Sequence, residues 1–453
     1  MKTRIISGLL CFSLIALLSS CDKWIDSSIN TDPNNLTSAS LKVILPTAEA
    51  GLAYQMGGDI GRFSGLFTQH FSGAGRQHAG FYNYSFTETD VNNIWEFNMY
   101  PGCMQDMNDI MSIAKASGAP HYQAVGEVLM AYSLGTMTDL FGDVPYSECF
   151  KGNGNPTPAY QSQQEIYVII QGLLDSAIVH TAITVSNFKP ADDDLIFAGD
   201  MTKWSKMAKA LKARYALHTA KQDPGAYSKA LGALTNSFTS NDDDAQFGFG
   251  TLETEANPLY QFLDQRQGDV SMGGTFMKFM DTLDPRLPQY ANVDGNKKYS
   301  AESAPGPFYA SINSPVMLVT YAEVKFIEAE AAIKSGDQAR AHAAYIEGIT
   351  ASCAKVGADS TTIAAFLKMP SIDPGVSALT LENIMVQKYI AMFTQSESWS
   401  DWRRTGFPTL TPSSGTQIPR RFPYPLSERL TNGAQLAKVN VGVTLFTPVW
   451  WDK

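Results

Sequence analysis

The residue types that perform covalent chemistry are all present in this chain, but no familiar spacing assembles them. There is no Gly-x-Ser-x-Gly elbow, no His-Glu-x-x-His pair and no Cys-x-x-Cys. Gly152-Asn153-Gly154 runs into Asn155-Pro156 and follows no strand pattern, so it does not cradle a dinucleotide. The six histidines lack metal-ligand spacing. Two carboxylates of the glycosidase kind need only meet in space, and 44 acidic residues leave that to the folded chain. The expectation is therefore a protein that is not an enzyme and holds no cofactor. Asp143 and Glu148 flank a Pro-containing turn, and Asp192-Asp193-Asp194 forms a second acidic group. Carboxylates of this kind suit calcium, but they also cap turns and helices, and capping is the favoured reading. Arg403, Arg404, Arg420 and Arg421 read as forks onto carboxylates and carbonyls that tie down the C-terminal segments. Trp204, Trp399 and Trp402 read as core.

What remains is non-covalent recognition. A sugar ring offers a face of C–H groups and a rim of hydroxyls. A flat aromatic side chain covers the face, and Arg, Asn, Gln or Asp pair with the rim. Phe71–Thr89 holds Phe81, Tyr82, Tyr84 and Phe86 among several glycines. Gln246–Pro315 has little periodicity beyond short helices near Leu259 and Phe276. Irregular segments this long in a compact domain are often functional.

The N-terminus sets the expected compartment. Lys2 and Arg4 precede an apolar run, Ile5–Leu18, too short to span a bilayer and of the size of a secretory core. Leu18-Ser19-Ser20-Cys21 reads as a lipobox. Residues 1–20 are then a lipoprotein signal peptide, and Cys21 is the acylated first residue, held to lipid by about 0.8 kcal/mol per buried methylene. Residues 21–40 form a polar tether, dense in turn formers at Asn30-Thr31-Asp32-Pro33-Asn34-Asn35. No later apolar stretch is long enough for a membrane helix. A formal net charge of −10 argues against nucleic acid as a partner. Cys11 leaves with the signal, and Cys103, Cys149 and Cys353 cannot build a disulfide framework.

Positioning falls to helices, so the fold class is mainly α. Apolar spacing predicts helices over Leu41–Met56, Val91–Ala116 with a kink at Pro101, Tyr122–Leu140, Gln163–Thr181, Thr202–Ala220 and Tyr227–Leu234. Ala322–Lys334, the turn Ser335-Gly336-Asp337 and Ala339–Lys355 make a hairpin. Its alternation of Ala329, Ala332, Gly336, Ala341, Tyr345 and Gly348 matches the knob-and-hole pattern of a tetratricopeptide unit.

A colinear set of short matches resembles the SusD/RagB family. It comprises the lipobox with Asn30–Asn34, Thr138–Glu148, Asp194–Phe197 with Gly199-Asp200 and Lys203-Trp204, and Ala322–Ala331. It continues through Gln387-Lys388-Tyr389, Trp399–Gly406, Pro419–Pro425 and Trp450-Trp451-Asp452. The resemblance implies one domain over 41–453, with about four tetratricopeptide-like helix pairs and a loop-rich half that binds ligand. It implies a surface-exposed outer-membrane lipoprotein that hands an oligosaccharide or polysaccharide to a SusC-like TonB-dependent barrel. A peptide ligand, or a scaffold without a small ligand, stays open as an alternative. The resemblance also points to the ligand region, in two groups. Arg76, Gln77, Phe81, Tyr82 and Tyr84 form the first, and Tyr260, Tyr299, Phe308 and Tyr309 the second.

Overall fold

The computed structural model describes residues 40–453. The signal peptide, Cys21 and all but the last residue of the tether lie outside the described residues. The first helices are α1 (Leu41–Gly57), α2 (Asp59–Phe67) and α3 (Arg76–Tyr82), followed by a π-helical stretch, Asn93–Met104, that runs without a break into α4 (Gln105–Ser117). Next come α5 (Pro120–Phe141), α6 (Gln163–Thr181), α7 (Met201–His218) and α8 (Ala226–Ala233). The irregular middle carries α9 (Pro258–Gln265) and α10 (Gly274–Phe279). The C-terminal part holds α11 (Tyr321–Lys334), α12 (Gln338–Lys355), α13 (Ser360–Phe366), α14 (Leu381–Ala391), α15 (Glu397–Thr405), α16 (Leu426–Thr431) and α17 (Gly433–Val439).

Local chemistry explains several boundaries. Ser162 caps α6 by accepting from the Glu165 N–H, and Glu165 reaches back to the Ser162 N–H at 2.9 Å. Asp200 caps α7, Asp337 caps α12 and Thr380 caps α14. Gly118 and Gly406 stop α4 and α15 in the left-handed conformation. The helix expected over Val91–Ala116 is found in two parts. Its first half winds with i→i+5 bonds, as between the Gln105 N–H and the Tyr100 carbonyl, and contains Pro101, which has no N–H to give.

The helices pack as successive antiparallel neighbours: α4 on α5, α5 on α6, α6 on α7, α7 on α8, and α11 on α12. This is the mainly α, tetratricopeptide-like architecture that the family resemblance implied and that one hairpin pattern pointed to. Helix α5 is buried on all sides from Ala124 to Phe141, and its acidic residues go in with partners: Glu127 accepts from Ser176 and Asp139 from the Trp451 indole. Small residues set the helix spacing. A Cβ at Gly135 would lie 2.2 Å from the Tyr215 hydroxyl, and one at Gly348 would lie 3.0 Å from the Phe326 ring.

Strands are short and tie loops together. β1 (Ser72–Gly73) pairs antiparallel with β5 (Val270–Ser271), β2 (Val144–Pro145) with β3 (Tyr160–Gln161), and β4 (Ala245–Phe247) with β6 (Val316–Val319). Through β1–β5 the aromatic loop after α2 meets the irregular middle.

The C-terminal arginines are ties, as their residue type suggested. Arg403 lies over Trp399 and Trp451 and donates to the Asp139 and Arg420 carbonyls at 2.6 and 2.9 Å. Arg404 forks onto Glu330 and reaches Asp401 at 2.8 Å. Arg420 pairs with Asp452, and Arg421 donates to the Phe141 carbonyl. Trp204 and Trp399 are fully buried, and Trp402 is half-buried beneath Arg420. The acidic turns act as caps. The Asp143 carboxylate accepts from the Gln163 N–H at 2.9 Å, and Glu148 accepts from the Ala159 N–H at 3.0 Å. Asp194 accepts from the Ile196, Phe197 and Gly199 N–H groups and from the Trp204 indole. Cys103, Cys149 and Cys353 are free thiols, and burial raises their pKa to about 12, 12 and 11. Among the described residues no helix is long and apolar enough to cross a membrane.

Candidate functional site

One face of α1 is left without a helix partner and forms the wall of an open cavity of about 810 Å³. Pro46, Thr47, Ala50, Gly51, Tyr54 and Gln55 recur there one turn apart. The small pair Ala50-Gly51 gives depth, with Gly51 set against Cys103 of the π-helical stretch. The second wall is the π-helical stretch, with Phe97, Asn98 and Gly102, continuing to Asp106 in the first turn of α4. The third wall is the loop after β4, from Phe247 to Ala256, with Gln261 of α9. Phe247 is anchored by strand pairing and holds Phe249 edge-on at 5.1 Å.

The rim exposes flat aromatic surface. Tyr54 is 46% exposed and Phe97 is 63% exposed. The Tyr54 hydroxyl donates to Gln261 Oε1 at 3.3 Å, and Gln261 Nε2 donates to the Glu253 carbonyl at 2.8 Å, which fixes the tyrosine's tilt. Between the aromatics stand amides. Gln55 is only 5% exposed, yet its Oε1 meets no donor among the described residues.

A second cavity of about 380 Å³ shares Tyr54, Gln55, Asn98 and Gln261 with the first and extends it towards α2, α3 and α9. This end is basic and polar, with Arg62, Gln77, His78, Asn93, Gln265 and Arg266. Arg62 lies 4.0 Å over the Phe262 ring, pairs with Asp59 and donates Nε–H to His78 Nε2 at 3.1 Å. That nitrogen must be unprotonated to accept, in line with burial and the neighbouring Arg62 holding the imidazole down at about 4. His78 Nδ1 stands 3.3 Å from Asp269, which accepts from Arg76 at 2.6 Å. A chain of side chains thus braces α2, α3 and the loop after α9 around the polar end.

The nine expected ligand residues are spread over several places. Gln77 lines the polar cavity, and Arg76 sits beside it, held by Asp269 and still half-exposed. Tyr82 and Tyr84 are half-buried and face Ser413: the Tyr82 carbonyl accepts from its hydroxyl, and the Tyr84 hydroxyl accepts from its N–H at 2.9 Å. Tyr260 is half-buried beside the groove without lining it. Tyr299 is 38% exposed on the loop Asp294–Ser300, and Phe308 leans on Tyr309 at 5.0 Å. Two residues must be reassigned. Phe81 is 5% exposed, enclosed by Phe63, His78 and Phe86, and Tyr309 is 4% exposed between Tyr290 and Phe393. Both pack inward here, each ring enclosed by aromatic neighbours. Sequence reasoning passed over Tyr54, Gln55, Phe97, Asn98, Phe249, Arg62 and Arg266. The available signal was Tyr54 one turn beyond the small pair Ala50-Gly51, beside the amide of Gln55.

Another cavity, of about 800 Å³, lies among α6, α7, α8 and Trp450. Its charged groups and two of its three glutamines are already engaged. Lys212 pairs with Asp175, Lys229 with Asp223, Gln171 donates to the Lys212 carbonyl and Gln222 to the Trp450 carbonyl.

Comparison with known proteins agrees with this architecture. The sequence model of a family described as "Starch-binding associating with outer membrane" matches residues 33–425. No curated protein matches the chain. Among solved structures, a chitin-binding protein superposes with a TM-score of 0.75 at 25% identity, covering 91% of this chain and 100% of its own. A SusD/RagB family protein from Bacteroides thetaiotaomicron gives 0.75 at 25% identity, over 92% of this chain and 99% of its own. A chitin-binding SusD homolog from Flavobacterium johnsoniae gives 0.75 at 23% identity, over 91% and 98%. With the family match spanning most of its length, the chain belongs to the SusD-like family.

Proposed function

We propose that this protein binds a nutrient glycan in the groove between α1, the π-helical stretch and the loop after β4. The observation that carries the reading is an open cavity of about 810 Å³ whose rim holds two exposed aromatic rings and whose floor holds the unpaired amide oxygen of Gln55. Rings cover sugar faces at small entropic cost, and amides pair with hydroxyls. The chitin-binding relative at 25% identity supports a polysaccharide as the ligand class. In this reading the protein performs no chemistry. It is anchored in the outer membrane by acylated Cys21 and passes its ligand to a SusC-like TonB-dependent barrel, as family membership supports.

The test is affinity electrophoresis and calorimetry against a polysaccharide panel, comparing wild type with Tyr54→Ala/Phe97→Ala. The variant is expected to bind its glycan at least about tenfold more weakly, since aromatic platforms contribute roughly 1 kcal/mol or more each. Its thermal transition should be unchanged, because both side chains are exposed. Undiminished glycan binding by the double variant would sink the proposal.

A further inference from the structure

The groove has an asymmetry of charge that its role as a glycan site does not require. Of all the side chains lining the 810 Å³ cavity, only Asp106 and Glu255 are charged, and both are acidic. Neither forms a hydrogen bond or ion pair with any side chain among the described residues. Asp109, one turn further along α4, is acidic as well and already accepts from Gln105 at 2.9 Å. A helix terminus does not explain Asp106. The π-helical stretch enters α4 without a break, so the first N–H groups of α4 bond backward and present no free positive end. Burial and Asp109 together raise the Asp106 carboxyl to about 6, as befits a half-buried carboxylate without a counter-charge.

A second, independent observation lies on the groove floor. Gln55 is buried, and its Oε1 has no donor among the described residues, although it lines both cavities. Leaving a buried acceptor unpaired is unfavourable, so Gln55 Oε1 is disposed to accept an N–H or O–H that a ligand brings. Three acceptors without donors, two of them anionic, therefore face a cavity walled by Tyr54, Phe97 and Phe249.

Building on the glycan reading above, we propose that the ligand is an amine-bearing glycan. The groove selects sugars with free ammonium substituents over their N-acetylated or neutral counterparts. Each ammonium brings three donors and a positive charge to whichever of Asp106, Glu255 or Gln55 it meets, while the sugar face lies on the rings. An acetamide brings one neutral donor and extra bulk. A plain hydroxyl brings one donor and no charge. Charge-assisted hydrogen bonds are roughly twice as strong as neutral ones, and a single one separates ligands by about tenfold.

The experiment is calorimetry at low salt with glucosamine oligomers, N-acetylglucosamine oligomers, glucose oligomers of equal length and trilysine. The proteins are wild type, Asp106→Asn and Glu255→Gln. Wild type is expected to bind the glucosamine oligomer about tenfold or more above the N-acetylated and neutral oligomers. That ratio should fall several-fold in Asp106→Asn and shrink as salt is raised. Glu255 is exposed, so Glu255→Gln serves where Asp106→Asn destabilises the fold. Equal or weaker binding of the amine-bearing oligomer, or a ratio unmoved in both variants, overturns the inference while leaving the glycan site standing. Binding of trilysine with no oligosaccharide bound overturns both readings in favour of a basic peptide.

Discussion

His218 is fully enclosed and shows how a single residue can carry pH dependence into the fold. Its Nε2 lies 2.8 Å from Glu397, and its Nδ1 lies 2.8 Å from the Tyr167 hydroxyl and 3.2 Å from Asp139. Burial alone would lower the imidazole's pKa, but Glu397 and Asp139 outweigh it and raise the value from 6.5 to about 9. The sign follows from linkage. A group that binds its proton more tightly in the folded state stabilises fully below its unfolded pKa, and that contribution is lost as pH rises through its folded one. The contribution from His218 should therefore be complete below about 6.5 and disappear through about 9. Urea unfolding between pH 6 and pH 10 should show a fall in stability on the order of 3 kcal/mol for wild type. His218→Gln should give a flatter profile; parallel profiles for the two proteins would show that the imidazole does not titrate here. The site is governed at the same scale, and this explains why only part of it was legible in the sequence. Gln77 was recognisable by type and by its loop. Phe97 was not, because it reads as one more apolar position three residues after Ile94. The π winding turns less per residue, which carries Phe97 away from the buried Ile94 and into solvent. Phe81 and Tyr309 failed in the opposite sense, since a loop position says nothing about the apolar floor beneath it.

At the scale of elements, apolar periodicity identified those helices whose burial is apolar. The limits of α6 agree with the spacing to the residue, and α11–α12 was recognised from small and aromatic alternation. Periodicity did not reveal α2, where Gly61 and Gly65 interrupt the pattern so that Phe71 and the Thr394 backbone can approach. Nor did it reveal α15, which looks polar by composition yet buries Glu397, Asp401, Arg403 and Arg404. Glu397, Asp401 and Arg404 are inside because each has an opposite charge beside it, and Arg403 because carbonyls and two indole rings take its guanidinium. Arg404 joins Glu330 of α11 and Asp401 of its own helix, and Asp401 meets Lys388 of α14 at 2.7 Å. Arg214 of α7 forks onto Glu323 of α11 at 2.6 Å. The network therefore tethers α15 and α14 to the tetratricopeptide-like hairpin through charge. Such pairs need not exceed an apolar contact in stability, but losing one partner strands the other. Arg404→Met should cost about 3–5 kcal/mol in urea unfolding, because Glu330 stays fully buried without its fork. Arg404→Met/Glu330→Leu should recover more than half of that loss. Simple additivity of the two substitutions would count against a coupled pair.

At the scale of the molecule, groove and framework are separable. All the residues lining the two joined cavities come from 46–106 and 247–266. None comes from the packed helices α5 to α8 or from the α11–α12 hairpin, whose glycine contacts and ion pairs hold the fold. Loops held by such short strand pairs can change their side chains without disturbing the framework. The same separation bears on transport. In the proposed role the protein must hold a lipid anchor, a barrel and a glycan at once, and each should fail alone. Cys21→Ser should take up no labelled palmitate and leave the membrane fraction, yet keep wild-type affinity for its glycan in solution. Tyr54→Ala/Phe97→Ala should stay with the membrane and still co-purify with the barrel, while binding its glycan at least about tenfold more weakly. A groove variant that loses both the barrel and the glycan would mean that the barrel seats on the groove itself. In that case the exposed rings Tyr54 and Phe97 would be interface anchors and not sugar platforms.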